Sequence, residues 1–114
     1  MFTGKARRLD IFMGESDSCH HKASYMAIVE WLRANGIAGA TVTRGVAGYG
    51  ASSHLHTASI LRLSMDLPIV VTVIDRPERI DAIIAPLAEI APNAMMTIHE
   101  IEIVRPGVGQ KKES

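Results

Sequence analysis

Four groups of residues in this 114-residue chain have side chains and spacings suited to chemistry. The densest is Arg44-Gly45-Val46-Ala47-Gly48-Tyr49-Gly50-Ala51-Ser52-Ser53. Its glycines admit positive φ and close backbone approach, so successive N–H groups can converge on an anion. Arg44 adds positive charge, and Ser52 or Ser53 adds a hydroxyl. The spacing is G-x-x-G-x-G with no Gly-Lys-Ser/Thr after it, which sets it apart from nucleotide-hydrolase phosphate loops. The same composition also suits a plain hairpin connection. Just beyond it, His54 and His56 flank Leu55 and face one way on an extended chain, giving two imidazole metal ligands without an evident third. Cys19-His20-His21 offers a softer ligand set. Adjacent side chains diverge on a strand, however, and stand about 100° apart on a helix, so solvated loop histidines are the simpler reading.

Catalytic arrangements are thin. Ser52, Ser53 and His54 hold a nucleophile and a base in sequence, but no nucleophile-elbow pattern surrounds them. Cys19 beside His20 has the makings of an activated thiol without triad geometry. Glu15 and Asp17 sit in a polar linker where helix capping is the expected role. No motif meets the geometric requirements for catalysis, and the residues read as non-enzymatic.

The elements that must position these residues follow from periodicity. Ala6 to Met13 alternates, with Leu9, Ile11 and Met13 on one side, and Gly14 ends the strand. Tyr25, Ile28, Val29 and Leu32 recur at helical spacing, which predicts a helix over Lys22–Asn35 stopped by Asn35-Gly36, with Trp31 as a packing residue. Ala40 to Val46 reads as a second strand that dissolves into the glycine-rich loop. Leu67–Ile74 is apolar on both faces and predicts a strand buried on both sides. A second helix is expected from Asp75, with Glu78 completing a capping box, Pro77 in the first turn and Pro86 kinking or ending it. Met96–Val104 closes the series, with a bulge or a change of neighbour expected near His99-Glu100.

The order β-α-β-β-α-β is that of an α+β, ferredoxin-like sandwich, a single domain over residues 1–105. The tail, 106–114, is expected to be disordered. Apolar types make up 47% of the chain but aromatics only 4%, so the surplus is aliphatic. Two helices cover one sheet face. Phe12, Val46 and half of Leu67–Ile74 then need another cover, which predicts sheet-to-sheet burial in a homo-oligomer. Twelve Lys+Arg balance twelve Asp+Glu, which argues against a bulk-charge nucleic-acid binder. One cysteine fits a reducing compartment, and no secretory signal or membrane-length apolar run is evident, so a soluble cytoplasmic protein is the expectation.

A combination of motifs carries a family resemblance. These are Gly14-Glu15-Ser16-Asp17, Tyr25 to Glu30, Gly36-Ile37-Ala38-Gly39-Ala40-Thr41-Val42, Arg44 to Ser52, His56-Thr57-Ala58, Leu61-Arg62-Leu63-Ser64 and Asp66-Leu67-Pro68. From about Leu9 to Val104 the chain resembles the domain of unknown function 190 family, a branch of the PII-like signalling proteins. The resemblance implies a homotrimer that binds a small effector in clefts between subunits, of the class of ATP, ADP or AMP. It implies that the Gly45–Arg62 loop reads out the bound state to a partner, such as a membrane transporter or channel of the fluoride-exporter kind. It differs from relatives at Cys19-His20-His21, where they commonly show other residues with a glycine.

The leading reading is a PII-like sensor of a small anion. Its contacts would come from Arg44, Gly45, Gly48, Tyr49, Gly50, Ser52, Ser53, His54 and Arg62. The alternative is a metal-binding trimer that uses His54 and His56 or the Cys19-His20-His21 group.

Overall fold

In the computed structural model, residues 2–48 and 66–106 are described. The alternating segment forms strand β1 (Gly4–Gly14), one of the two central strands of a four-stranded antiparallel sheet. Strand β5 (Pro68–Asp75) lies on one side, in register from Arg7↔Asp75 to Gly14↔Pro68. Strand β6 (Met95–Ile103) lies on the other, from Gly4↔Ile103 to Phe12↔Met95. Strand β4 (Gly39–Arg44) forms the far edge against β5. Helices α1 (Ser24–Ala34) and α2 (Pro77–Ile90) pack on one sheet face. This is the α+β, split-βαβ architecture read from the sequence.

The core lies between that face and the helices. Leu9, Ile11 and Met13 of β1 and Ile69, Val71 and Val73 of β5 meet Ile28 and Leu32 of α1 and Ile80, Ile83 and Leu87 of α2. Each such side chain contributes roughly 1.5–3 kcal/mol on burial. A buried carboxylate ties the elements together at one end. Asp75, 3% exposed, accepts hydrogen bonds from Ala38 N (2.9 Å), Arg76 N (2.7 Å) and Arg79 Nε (3.1 Å). Arg79 Nη2 also donates to the carbonyls of Asn35 (3.0 Å) and Gly36 (2.8 Å), where α1 ends with Gly36 at φ +71°. One ion-paired side-chain system therefore holds the end of α1, the approach to β4 and the start of α2. On the same face, Arg7 bridges Glu100 of β6 and Asp81 of α2. Its hydrogen bond to Glu100, and next that to Asp81, raises the guanidinium pKa above the ordinary arginine value.

Several local expectations are corrected. Lys22 and Ala23 are not helical: they form β3 (Lys22–Ala23), paired with β2 (Ser18–Cys19) in a hairpin whose two turn residues are His20 and His21. Their φ values, 52° and 67°, are those of a mirror-image hairpin turn, in which two-residue loops match strand twist. Glu15 and Asp17 do not cap α1, whose N-cap is Ala23 with no side-chain bond. Asp75 ends β5 rather than capping α2, and the N-cap Arg76 makes no side-chain cap. The α2 helix continues through Pro86 to Ile90. Strand β6 pairs without a break across His99-Glu100, so no bulge forms.

Burial along β5 alternates strictly, with Ile69, Val71 and Val73 buried and Val70, Thr72 and Ile74 half-buried. The face without helices thus carries Phe12, Val70, Ile74, Met95 and Ile101 around a polar centre of Arg8, Asp10, Thr72 and His99. Val46 does not join it. It lies beyond β4 and is 94% exposed.

Candidate functional site

The described part of the glycine-rich loop rises from one end of the sheet, where β1 ends, β4 ends and β5 begins. Arg44 is the last residue of β4 and pairs across the ladder with Ile69. Its guanidinium makes an ion pair with Glu15 (Nη2–Oε2 3.0 Å) in the turn after β1. Gly45 follows and donates its N–H to Pro68 O at 2.8 Å. A Cβ at Gly45 would stand 2.8 Å from Pro68 Cγ, and one at Gly48, whose φ is +155°, would stand 3.3 Å from the same atom. The glycines therefore let the backbone wrap the rigid Pro68 ring. That packing is a requirement separate from anion binding, and the paired Gly45 amide serves the loop's base.

The facing turn is equally constrained. Gly14 N donates to Asp17 Oδ2 (3.2 Å), Ser16 N donates to Asp66 Oδ1 (3.0 Å) and Glu15 N donates to Leu67 O (2.9 Å). A side chain at Gly14 would come within 2.9 Å of Asp66 Oδ1. Asp17 N returns to Gly14 O, and Asp17 O receives Ser24 N at the start of α1. Glu15 is thereby held by its own backbone beneath Arg44. The two form a charge pair at the mouth of the loop, with Arg44 58% exposed and Glu15 24%.

Arg44, Gly45 and Gly48 are the expected site residues that the structure places, and it brings Arg44 and Gly45 together at the loop base. Tyr49, Gly50, Ser52, Ser53, His54, His56 and Arg62 lie outside the described residues. His20 and His21 are exposed at the hairpin tip, and Cys19 is half-buried below them. Among the described residues, no group of three or more His, Cys, Asp or Glu is placed to hold a metal ion. The sequence reading missed Glu15 as the partner of Arg44 and Asp66 and Pro68 as the opposite wall. Asp66-Leu67-Pro68 ahead of a strong strand was the available signal, but the register that sets it beside Gly14 and Gly45 is tertiary.

Further depressions lie away from the loop. One, of about 330 Å³, runs between the helices along Trp31, Ile37, Ile83 and Pro86. Another, of about 160 Å³, lies at the start of α1 beside Ser18, Ser24 and Asn93. No helix among the described residues is long and apolar enough to cross a membrane.

Comparison with known proteins supports the fold and the family. The chain is similar to the CPII protein of Thiomonas intermedia K12 in its structure with ADP, AMP and acetate, with a TM-score of 0.58 at 15% identity over 93% of this chain and 95% of the other. The same protein with ADP and bicarbonate gives 0.55 at 18% identity, covering 92% and 94%. At these identities the likeness shows a PII-like, ferredoxin-type fold. In sequence, the chain is 31% identical over 100 residues to a UPF0166 protein of Aquifex aeolicus, covering 88% of this chain and 94% of the relative. It is 35% identical over 89 residues to a UPF0166 protein of Methanocaldococcus jannaschii, covering 78% and 82%. The sequence profile of domain of unknown function 190, described as "Uncharacterized ACR", matches residues 6–103. Its match spans every strand of the four-stranded sheet and both helices, and the chain belongs to this family.

Proposed function

We propose that this chain is a non-enzymatic, PII-like regulator that senses a small anionic effector of the adenine nucleotide class (ATP, ADP or AMP) with its Gly45–Arg62 loop. The observation that carries the reading is the loop base. An arginine at the end of β4 stands at the mouth of a glycine-rich connection whose first residue is pinned to Pro68. A fold of the same kind, CPII, is described with ADP and AMP bound. In this reading Arg44 and Arg62 supply charge, Gly48, Gly50, Ser52 and Ser53 supply hydrogen-bond donors, and Tyr49 and His54 meet the base or pass the signal on. The effector orders the loop, and the ordered loop is what a partner protein reads, a disorder-to-order switch. A membrane channel or transporter, such as a fluoride exporter, is the partner class that the family resemblance implies.

The subunit assembles as a homotrimer through the sheet face opposite the helices, where Phe12, Val70, Ile74, Met95 and Ile101 need a cover. The effector sites then lie between subunits. Small-molecule mass spectrometry of the purified protein, followed by calorimetry with ATP, ADP and AMP, tests the reading. Saturable binding that is lost in Arg44→Ala supports it. No binding by any of the three, with and without magnesium, overturns it. Elemental analysis of untagged protein is the parallel test of metal binding: a stoichiometric transition metal lost on replacing His54 and His56 would put the metal-binding trimer in its place.

A further inference from the structure

The depression of about 160 Å³ lies where α1 begins and α2 ends. Asp17, Ser18 and Ser24 line it from the entry to α1, and Ala91, Pro92 and Asn93 from the exit of α2. Ser24 is only 2% exposed, and its hydroxyl has no hydrogen-bond partner among the described residues. Buried polar groups are nearly always paired, so an unmet hydroxyl marks a missing partner. Nor is it sealed in. Among the described residues, only Arg8 Nε is a fully enclosed side-chain atom without a partner. The Ser24 hydroxyl is therefore reached from outside, through the depression that Ser24 lines.

The two helix ends that meet here are uncompensated by their own side chains. A helix carries roughly half a positive charge at its N-terminus and half a negative charge at its C-terminus, where N–H and C=O groups lack intrahelical partners. Helix α1 has no side-chain cap and no acidic residue in its first turn. Helix α2 has no basic residue in its last turn. Pro92 has no N–H to offer the carbonyl of Ala88, four residues earlier. Among the described residues that line the depression there is one charged side chain, Asp17. Its Oδ2 accepts from Gly14 N at 3.2 Å, which leaves the carboxylate charge in place. A simple anion would suit α1 and Ser24 but be repelled by Asp17. A simple cation would suit Asp17 and α2 but be repelled by α1. A ligand with both charges a few bonds apart satisfies all four.

We propose that this depression binds a small zwitterion, an α-amino acid of the size of glycine, alanine or serine. Its carboxylate accepts from the Ser24 hydroxyl at the positive end of α1. Its ammonium group donates to the Asp17 carboxylate at the negative end of α2. The exposed side chains of Ser18 and Asn93 supply further polar contacts at the rim. The volume limits the ligand's side chain, because it falls well below the roughly 300–1,000 Å³ of pockets that take drug-sized molecules. The site shares no lining residue with the effector loop, so it stands or falls separately from nucleotide sensing.

Equilibrium dialysis of the full chain against radiolabelled glycine, L-alanine and L-serine tests the site. Acetate and methylamine are the probes of one charge alone, and L-leucine is the probe of excess bulk. The expected result is saturable binding of at least one of the three amino acids, one per subunit, at least about tenfold tighter than acetate, methylamine or leucine. Ser24→Ala removes an unpaired hydroxyl, so it should unfold in urea like the parent while binding the amino acid about tenfold more weakly. Asp17→Asn keeps an oxygen for Gly14 N and should weaken the amino acid by a similar factor while improving acetate. Absence of saturable binding by all three amino acids overturns the proposal. Acetate or methylamine bound as tightly as glycine overturns the zwitterion and leaves a site for a single charge. Amino-acid binding that is unchanged in folded Ser24→Ala puts the ligand elsewhere and overturns the site.

Discussion

Replacing Glu15 by glutamine should tighten binding of ADP, because an anion and Glu15 compete for the same guanidinium. At the 3.0 Å separation of Arg44 Nη2 and Glu15 Oε2, the Coulomb attraction is about 1.4 kcal/mol in a water-like dielectric. Arg44 is more than half exposed. Screening and the entropy of holding two long side chains therefore reduce the net pair to at most about 1 kcal/mol. An effector that must displace Glu15 bears that cost. Its removal translates into roughly two- to fivefold tighter binding, since about 1.4 kcal/mol is tenfold. The backbone of Glu15 is held by Leu67 O independently of its carboxylate, so Glu15→Gln should unfold within about 1 kcal/mol of the parent. Calorimetric titration with ADP at fixed salt is the assay, run on Glu15→Gln, Arg44→Ala and the double variant. Arg44→Ala should weaken ADP binding, and adding Glu15→Gln to it should change nothing. If Glu15→Gln binds ADP equally or more weakly while its unfolding is unchanged, Arg44 is not the group that the anion meets.

Three further perturbations probe the scaffold. Asp75→Ala removes the acceptor of three hydrogen bonds and leaves Arg79 without its carboxylate. It should lower stability by about 3 kcal/mol, seen as a fall in the urea midpoint at constant m and fixed protomer concentration, and a loss under about 1 kcal/mol would remove the clamp's importance. Gly45→Ala drives a methyl to 2.8 Å from the Pro68 ring. It should cost about 1–3 kcal/mol and weaken ADP binding along with stability, whereas normal values for both would mean the loop base is not constrained by Pro68. His20→Asn combined with His21→Gly places the preferred turn pair at two positive-φ positions. It should raise stability by about 1 kcal/mol in thermal or urea unfolding, and a loss would argue against this hairpin.

The strands and helices were readable because their apolar spacing is local. Leu9, Ile11 and Met13 announce a strand, and Ile80, Ile83 and Leu87 a helix, without knowledge of their neighbours. The errors fall where tertiary contacts outweigh local signals. Asp75 has the residue type and position of a helix cap, yet its carboxylate is drawn into the Ala38 and Arg79 network. The His20-His21 hairpin escaped because its usual asparagine and glycine are missing, so nothing in the residue types announces a positive-φ turn. Pro86 removes one amide from α2, but the rows of Ile80, Ile83 and Leu87 on the core carry the helix past it.

By itself the sequence determined the order of the four sheet strands and two helices, the apolar faces and the presence of a glycine-rich loop beside an arginine. Periodicity and residue type encode these directly. It could not say that Glu15 stands under Arg44, that Gly45 and Gly48 wrap one proline, or that Arg8, Asp10, Thr72 and His99 share one face. Those placements depend on strand register, and a slip of one residue would send each side chain to the other side of the sheet. Register is decided by packing β1 against β5 and β6 over a common core, which is a property of the folded chain as a whole.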